Sequence, residues 1–128
     1  MKHAVLSLAG FFILFAIILG AFGAHSLKNH LNSEELNSLQ TGIQYQLFHG
    51  LTLVILGLNF EKIKKAKLMT IGIICGTIFF SGSIYLLTLD QLLNVNLGFL
   101  WPVTPIGGMI LIFTWLLFAI VNGKKTNS

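Results

Sequence analysis

The sequence predicts an all-α polytopic membrane protein: four transmembrane helices in a compact bundle, with a short interfacial helix between the first and second. Three observations lead there. Of the 128 residues, 55% are hydrophobic and 9% charged, too apolar a balance for a water-soluble domain. The apolar residues gather in four runs, each long enough to cross a bilayer. The eight basic residues, all lysines, flank those runs, which is a membrane pattern and not the basic stripe of a nucleic-acid-binding protein. A chain of this length suffices for one packed unit, so residues 1–128 are expected to form a single membrane domain.

The first run, 4–24, holds 21 residues with Ser7 as its only hydroxyl. At about 1.5 Å per residue it spans roughly 30 Å, the thickness of a hydrocarbon core. A cleaved signal peptide is the competing reading, since Lys2 precedes the run and small residues close it, but the run exceeds the usual apolar stretch of about 7–15 residues. The polar stretch 26–41 follows. There Asn32 stands three residues before Glu35, as in a capping box, and Leu36, Leu39 and Ile43 recur at helical spacing, which predicts the interfacial helix. The remaining spans are 43–60, 68–89 and 105–121. Thr104 is expected to cap the last, with Pro105 in its first turn where no N–H donor is needed, and Trp101 is expected at the interfacial belt.

In a four-span arrangement Lys2, Lys62, Lys64, Lys65, Lys67, Lys124 and Lys125 fall on one side and only Lys28 on the other. The positive-inside rule then places both termini in the cytoplasm and faces Glu34, Glu35 and Asp90 outward. The same lysines suit anionic lipid or a partner, although topology alone accounts for them. The one cysteine, Cys75, lies in an apolar run, so no disulfide framework or thiol metal site is expected.

Lipid gives no hydrophobic drive for helices to associate, so small residues should mark their contacts. Ala16, Gly20 and Ala24 recur every fourth residue on the first helix, Gly72, Gly76 and Ser83 share a face of the third, and Gly107 and Gly108 thin the fourth. These stripes leave room for a homo-oligomer or a membrane-protein partner. Membrane lipids are the expected surroundings and nucleic acid is not a partner.

No Asp, Glu, Lys or Arg lies within a span, which counts against ion-coupled transport. The informative residue is His49, six residues and so roughly 9 Å into the second span, with Tyr45 and Gln46 one turn earlier. Topology sends further polar groups to the same outer half: His25 at the end of the first helix, Ser81 and Tyr85 on the third beside Thr77 and Thr88, and Thr104 opening the fourth. The candidate cluster is therefore His25, Tyr45, Gln46, His49, Ser81, Tyr85 and Thr104. It fits a small-ligand pocket. It fits equally a set of groups that satisfy one another to hold the bundle, because an unpaired polar group in hydrocarbon costs several kcal/mol. Two histidines would also permit haem or metal ligation, but no carboxylate in a span orients either ring, and neither cofactor nor metal is expected. His3 and His30 lie outside the spans. No nucleophile with its base, no carboxylate pair and no phosphate-binding loop is present, so the chain is not read as an enzyme.

The motifs GAFGAH at 20–25, YQLFH at 45–49, SGSIY at 81–85 and TPIGG at 104–108 resemble those of the small membrane-protein family catalogued as domain of unknown function 423, the YgdD/YwdK type. The likeness covers essentially the whole chain and includes His25, Tyr45, Gln46, His49, Ser81, Tyr85, Pro105, Gly107 and Gly108. It implies a multi-pass bacterial plasma-membrane protein, with relatives in animal mitochondria, and supplies no activity. Gly42 and Gly50 stand where alanine is common in that family, and Ser26 where glycine often follows the histidine. The sequence thus favours a noncatalytic structural or accessory membrane component. The alternative is a receptor or carrier for a small amphipathic molecule, lipid or quinone-like, held in the outer cluster, and a small dimeric exporter comes third.

Overall fold

A computed structural model describes residues 1–125, with Ala24 described through its backbone alone; the expected packing role of the Ala24 side chain therefore lies outside the described residues. All secondary structure among the described residues is helical, in four long segments. The first is α-helical over Lys2–Ile18, passes through a π-turn at Leu19–Gly23 and ends with Ala24–Leu27. The second is Ser33–Leu58. The third joins Ala66–Thr77 and Ser83–Leu93 through a π-turn at Ile78–Gly82. A 3-10 turn at Gly98–Leu100 precedes the fourth, Val103–Asn122.

Three of these, Lys2–Leu27, Ala66–Leu93 and Gly98–Asn122 with its leading turn, are long and apolar enough to cross a membrane. The second is as long, but Glu34, Glu35, Gln40, Gln44, Gln46 and His49 lower the apolarity of its first two thirds. The polar stretch before it does not form a helix of its own. Asn32 and Glu35 do make the capping box: the Asn32 side chain accepts from the Glu35 N–H at 2.8 Å and the Glu35 carboxylate accepts from the Asn32 N–H at 3.0 Å. The helix so begun runs without interruption to Leu58, because nothing between Thr41 and Ile43 breaks the backbone pattern and the alternative would leave helix-end N–H and C=O groups unpaired. The expected cap by Thr104 is likewise corrected. The fourth helix begins at Val103 with no side-chain cap, and the Thr104 hydroxyl instead meets the Ser83 hydroxyl at 2.5 Å. Pro105 remains among the first residues, whose N–H groups have no partner within the helix.

The helices run antiparallel in two close pairs. In the first pair a Cβ on Gly57 would strike Leu6 Cδ2 at 2.7 Å and one on Gly50 would strike Ile13 Cγ1 at 2.9 Å. In the second, a Cβ on Gly76 would strike Leu111 at 2.7 Å and one on Gly72 would overlap Thr114. At Gly107 the approach is backbone against backbone: a Cβ there would lie 2.7 Å from Phe79 C and 2.8 Å from Phe80 Cα, inside the π-turn of the third helix. Gly72, Gly76 and Gly107 thus sit at crossings, and Ala16 and Ser83 are buried. Gly20 and Gly108 have only ordinary contact distances of 3.7 Å around them.

This arrangement gathers one end of every helix at the lysine-rich side. The apolar core, Val5, Ala9, Leu53, Leu56, Met69, Ile73 and Leu111, fills that half of the bundle. Large side chains such as Phe11, Phe15, Phe48, Ile55, Ile112 and Phe113 cover the outside, as expected where lipid and not water is the surrounding solvent.

Candidate functional site

The polar residues occupy the other half, and hydrogen bonds between helices hold most of them. The Gln46 side chain is the hub. Its Nε2–H donates to the Phe12 carbonyl on the first helix at 2.8 Å, and its Oε1 accepts from the Tyr85 hydroxyl on the third at 2.6 Å. Ser81, only 1% exposed, donates to the Gly42 carbonyl at 2.7 Å. Gly42 lets the third helix come this near, since a Cβ there would lie 3.2 Å from both Ile84 Cγ2 and Tyr85 Cε1. Every fourth residue of the third helix therefore serves the second helix (Thr77, Ser81, Tyr85), while the adjacent stripe, Gly72, Gly76, Phe80 and Ser83, serves the fourth.

His49 joins the second helix to the fourth. Its Nδ1 lies 2.7 Å from the Tyr45 carbonyl and its Nε2 accepts from the Trp115 indole N–H at 3.1 Å. A carbonyl on one side and an N–H on the other specify the neutral tautomer with its proton on Nδ1. Both ring nitrogens are engaged, so the ring offers no free lone pair to a metal in this arrangement. The Tyr45 ring stacks on Phe80 with centroids 4.3 Å apart, and Trp115 meets Phe118 edge-on at 5.7 Å.

Of the residues expected to converge, Gln46, Tyr85 and Ser81 come together between the first, second and third helices, while His49 and Tyr45 form a neighbouring group with Trp115 and Phe80. Thr104 bonds Ser83 on the far side of the third helix. His25 is exposed at the end of the first helix and, among the described residues, makes no hydrogen bond to either group. Thr52 and Thr88 turn their hydroxyls back to the carbonyls of Phe48 and Ile84, the usual satisfaction of hydroxyls in a helix. Thr77 is the exception: its buried hydroxyl has no hydrogen-bond partner among the described residues. It lines a small hollow with Phe12, Gln46, Ser81 and Tyr85.

Trp115 is the member that sequence reasoning missed. A tryptophan in the middle of an apolar run carries an N–H that must find an acceptor, and that requirement was the available signal. Beside it, between the second and fourth helices, lies an open groove of about 680 Å³ bordered by Tyr45, Phe48, Phe80, Gly108, Ile112 and Trp115. Among the described residues no group of three or more His, Cys, Asp or Glu is placed to hold a metal ion.

Comparison with known proteins agrees with this architecture of apolar helices. A family model described as "Protein of unknown function (DUF423)" matches residues 19–108. The chain is 32% identical to the UPF0382 membrane protein YwdK of Bacillus subtilis, over 87% of this chain and 89% of that protein. It is 37% identical to the UPF0382 inner membrane protein YgdD of Escherichia coli K12, over 86% and 87%. It is 34% identical to a UPF0382 membrane protein of Haemophilus influenzae, over 98% of each. No solved structure matches it.

Proposed function

The chain belongs to the DUF423 family of bacterial membrane proteins, and from that premise we propose that it is a noncatalytic structural or accessory component of the plasma membrane. In this reading all four helices cross the bilayer. The second, at about 39 Å, is longer than a hydrocarbon core, so its capped, acidic first turns extend into the outer interface, the role expected of a separate interfacial helix. Seven of the eight lysines gather at one end, which supports cytoplasmic termini under the positive-inside rule.

The observation that carries the reading is the saturation of Gln46 and His49. Gln46 uses both ends of its amide and His49 both ring nitrogens on partners within the chain. Groups already paired in this way fix helix against helix, and a ligand would have to displace them at a loss. The same pairing disfavours catalysis, since a general base needs a free lone pair facing its substrate.

The groove beside Trp115 favours one other reading, a receptor for a lipid- or quinone-like amphipathic molecule. Native mass spectrometry of the protein released from its own membrane in mild detergent separates the two, with wild type compared against His49→Ala and Gln46→Leu. The structural reading expects no adduct that depends on either side chain. A stoichiometric adduct lost in both folded variants would replace it with the receptor reading.

A further inference from the structure

At the opposite end of the bundle from the polar cluster, two lysine segments far apart in sequence are tied together. The Asn122 side chain accepts from the Lys64 backbone N–H at 2.9 Å and donates to the Lys64 carbonyl at 3.4 Å. That double contact holds the turn between the second and third helices against the end of the fourth. Lys62, Lys64 and Lys65 on the turn, with Lys67 in the first turn of the third helix, are thereby set beside Lys124 and Lys125, with Glu61 the single acid among them. Lys65 turns the chain through a left-handed backbone conformation, φ 58° and ψ 35°, which non-glycine residues seldom adopt.

The same turn sends one side chain inward. Ile63, flanked by Lys62 and Lys64, lines a cavity of about 230 Å³ with Ile55, Leu56, Met69, Ile73 and Phe118. The two threonines at its wall, Thr52 and Thr114, spend their hydroxyls on the carbonyls of Phe48 and Ile110. The cavity is therefore without free polar groups and suits hydrocarbon alone. It is larger than the roughly 150 Å³ that takes up benzene in an engineered apolar cavity, and far too small for a whole lipid, so it fits a segment of one chain.

We infer that this end of the protein binds an anionic phospholipid, its headgroup phosphate held by the lysines of the turn and the fourth helix, and part of one acyl chain lodged in the cavity under Ile63. Neither feature alone requires this occupant. Lysines at a membrane surface attract any anion, and an apolar cavity accepts any hydrocarbon. An anionic lipid is the molecule that carries both, and Ile63, between Lys62 and Lys64, joins the cavity to the lysine turn. Trp115, whose indole N–H is held by His49, forms one wall of the cavity, but Ile63 and the lysines belong to the surroundings of neither Gln46 nor His49, and the inference goes beyond the structural role proposed above.

The test is native mass spectrometry of the purified protein in mild detergent with equal amounts of phosphatidylglycerol and phosphatidylcholine of the same chain length. The expected result is one retained phosphatidylglycerol in clear preference. Lys62→Gln and Lys64→Gln should each weaken that retention about fivefold, the contribution of one lysine at an anionic surface. Ile63→Trp, which fills the cavity, should reduce retention of the anionic lipid while leaving the lysines in place, and Asn122→Ala should do so by releasing the turn. Gln46→Leu, at a side chain that lines another hollow and bonds Phe12 and Tyr85, should leave it unchanged, which keeps this site distinct from any ligand of the polar cluster. Equal retention of the two lipids by wild type would overturn the inference, as would undiminished preference in the Lys62→Gln, Lys64→Gln double variant. Adducts of inorganic phosphate that persist in the Ile63→Trp variant and displace the lipid would also overturn it, by assigning the lysines to a free anion.

Discussion

Gly107→Ala is the perturbation whose size the structure fixes most closely. The added methyl carbon would stand 2.8 Å from Phe80 Cα, with Phe79 C at 2.7 Å and the Phe80 nitrogen nearer still. Carbon atoms rest at about 3.5–4.0 Å, so the third and fourth helices must part by at least about 0.7 Å along that line. The obstacle is the backbone of a π-turn, which cannot rotate out of the way as a side chain does. Overpacking of this kind costs about 1–3 kcal/mol, and the backbone partner puts the expectation near 2 kcal/mol. Separation would also lengthen the Ser83–Thr104 contact one turn away. Unfolding would be followed by circular dichroism and tryptophan fluorescence while SDS is titrated into mild-detergent micelles. Helices persist in that unfolded state, so the intrinsic preference for alanine over glycine largely cancels. Gly10→Ala provides the reference, since a Cβ at Gly10 meets nothing within 4 Å, and it should be neutral. If Gly107→Ala proves as stable as Gly10→Ala, the close crossing at Phe79–Phe80 does not exist and the reasoning fails.

The same titration tests three further expectations. Gln46→Leu and Tyr85→Phe should each destabilise by about 1 kcal/mol, and their double variant should show a coupling of about 0.6 kcal/mol, the average for hydrogen bonds between membrane helices; additive effects would mean the two side chains do not interact. Thr77→Val removes a buried hydroxyl that has no partner within the described chain, so it should be neutral or stabilising by up to about 1 kcal/mol. A clear loss of stability would show that the hydroxyl has a partner, such as a bound water or ligand group. Asn32→Ala removes the capping box and should cost about 1 kcal/mol, read most directly as loss of amide-exchange protection over residues 33–36. Unchanged protection there would refute the reciprocal cap.

Much of this was legible in the residues. Four apolar runs gave the four long helices, and the Asn32–Glu35 pair marked where the second begins. The lysines grouped the helix ends before any contact was known. Within each helix the 3.6-residue period brought Tyr45 and Gln46 to the side of His49 and placed Thr77, Ser81 and Tyr85 in one row. That period also argued for glycine and serine at the crossings of the third helix.

What the sequence determined by itself was local, because chain geometry fixes which side chains share a face of one helix. Only the tertiary structure decided which face meets which helix. The His49–Trp115 bond joins residues 66 positions apart, and the Gln46–Tyr85 bond joins residues 39 apart. No periodicity links such pairs, and a run of equally apolar faces leaves several pairings open. Ser83 and Ser81, two residues apart, serve different neighbours, and Thr104 went to the first of these while the cluster kept the second. The separate helix expected before the second span disappeared for a related reason: polarity changes at Ile43, but hydrogen bonding along the backbone does not. Where backbones approach as closely as Gly107 and Phe80, the partner is chosen by fit between whole surfaces, and that fit exists only once the helices are together.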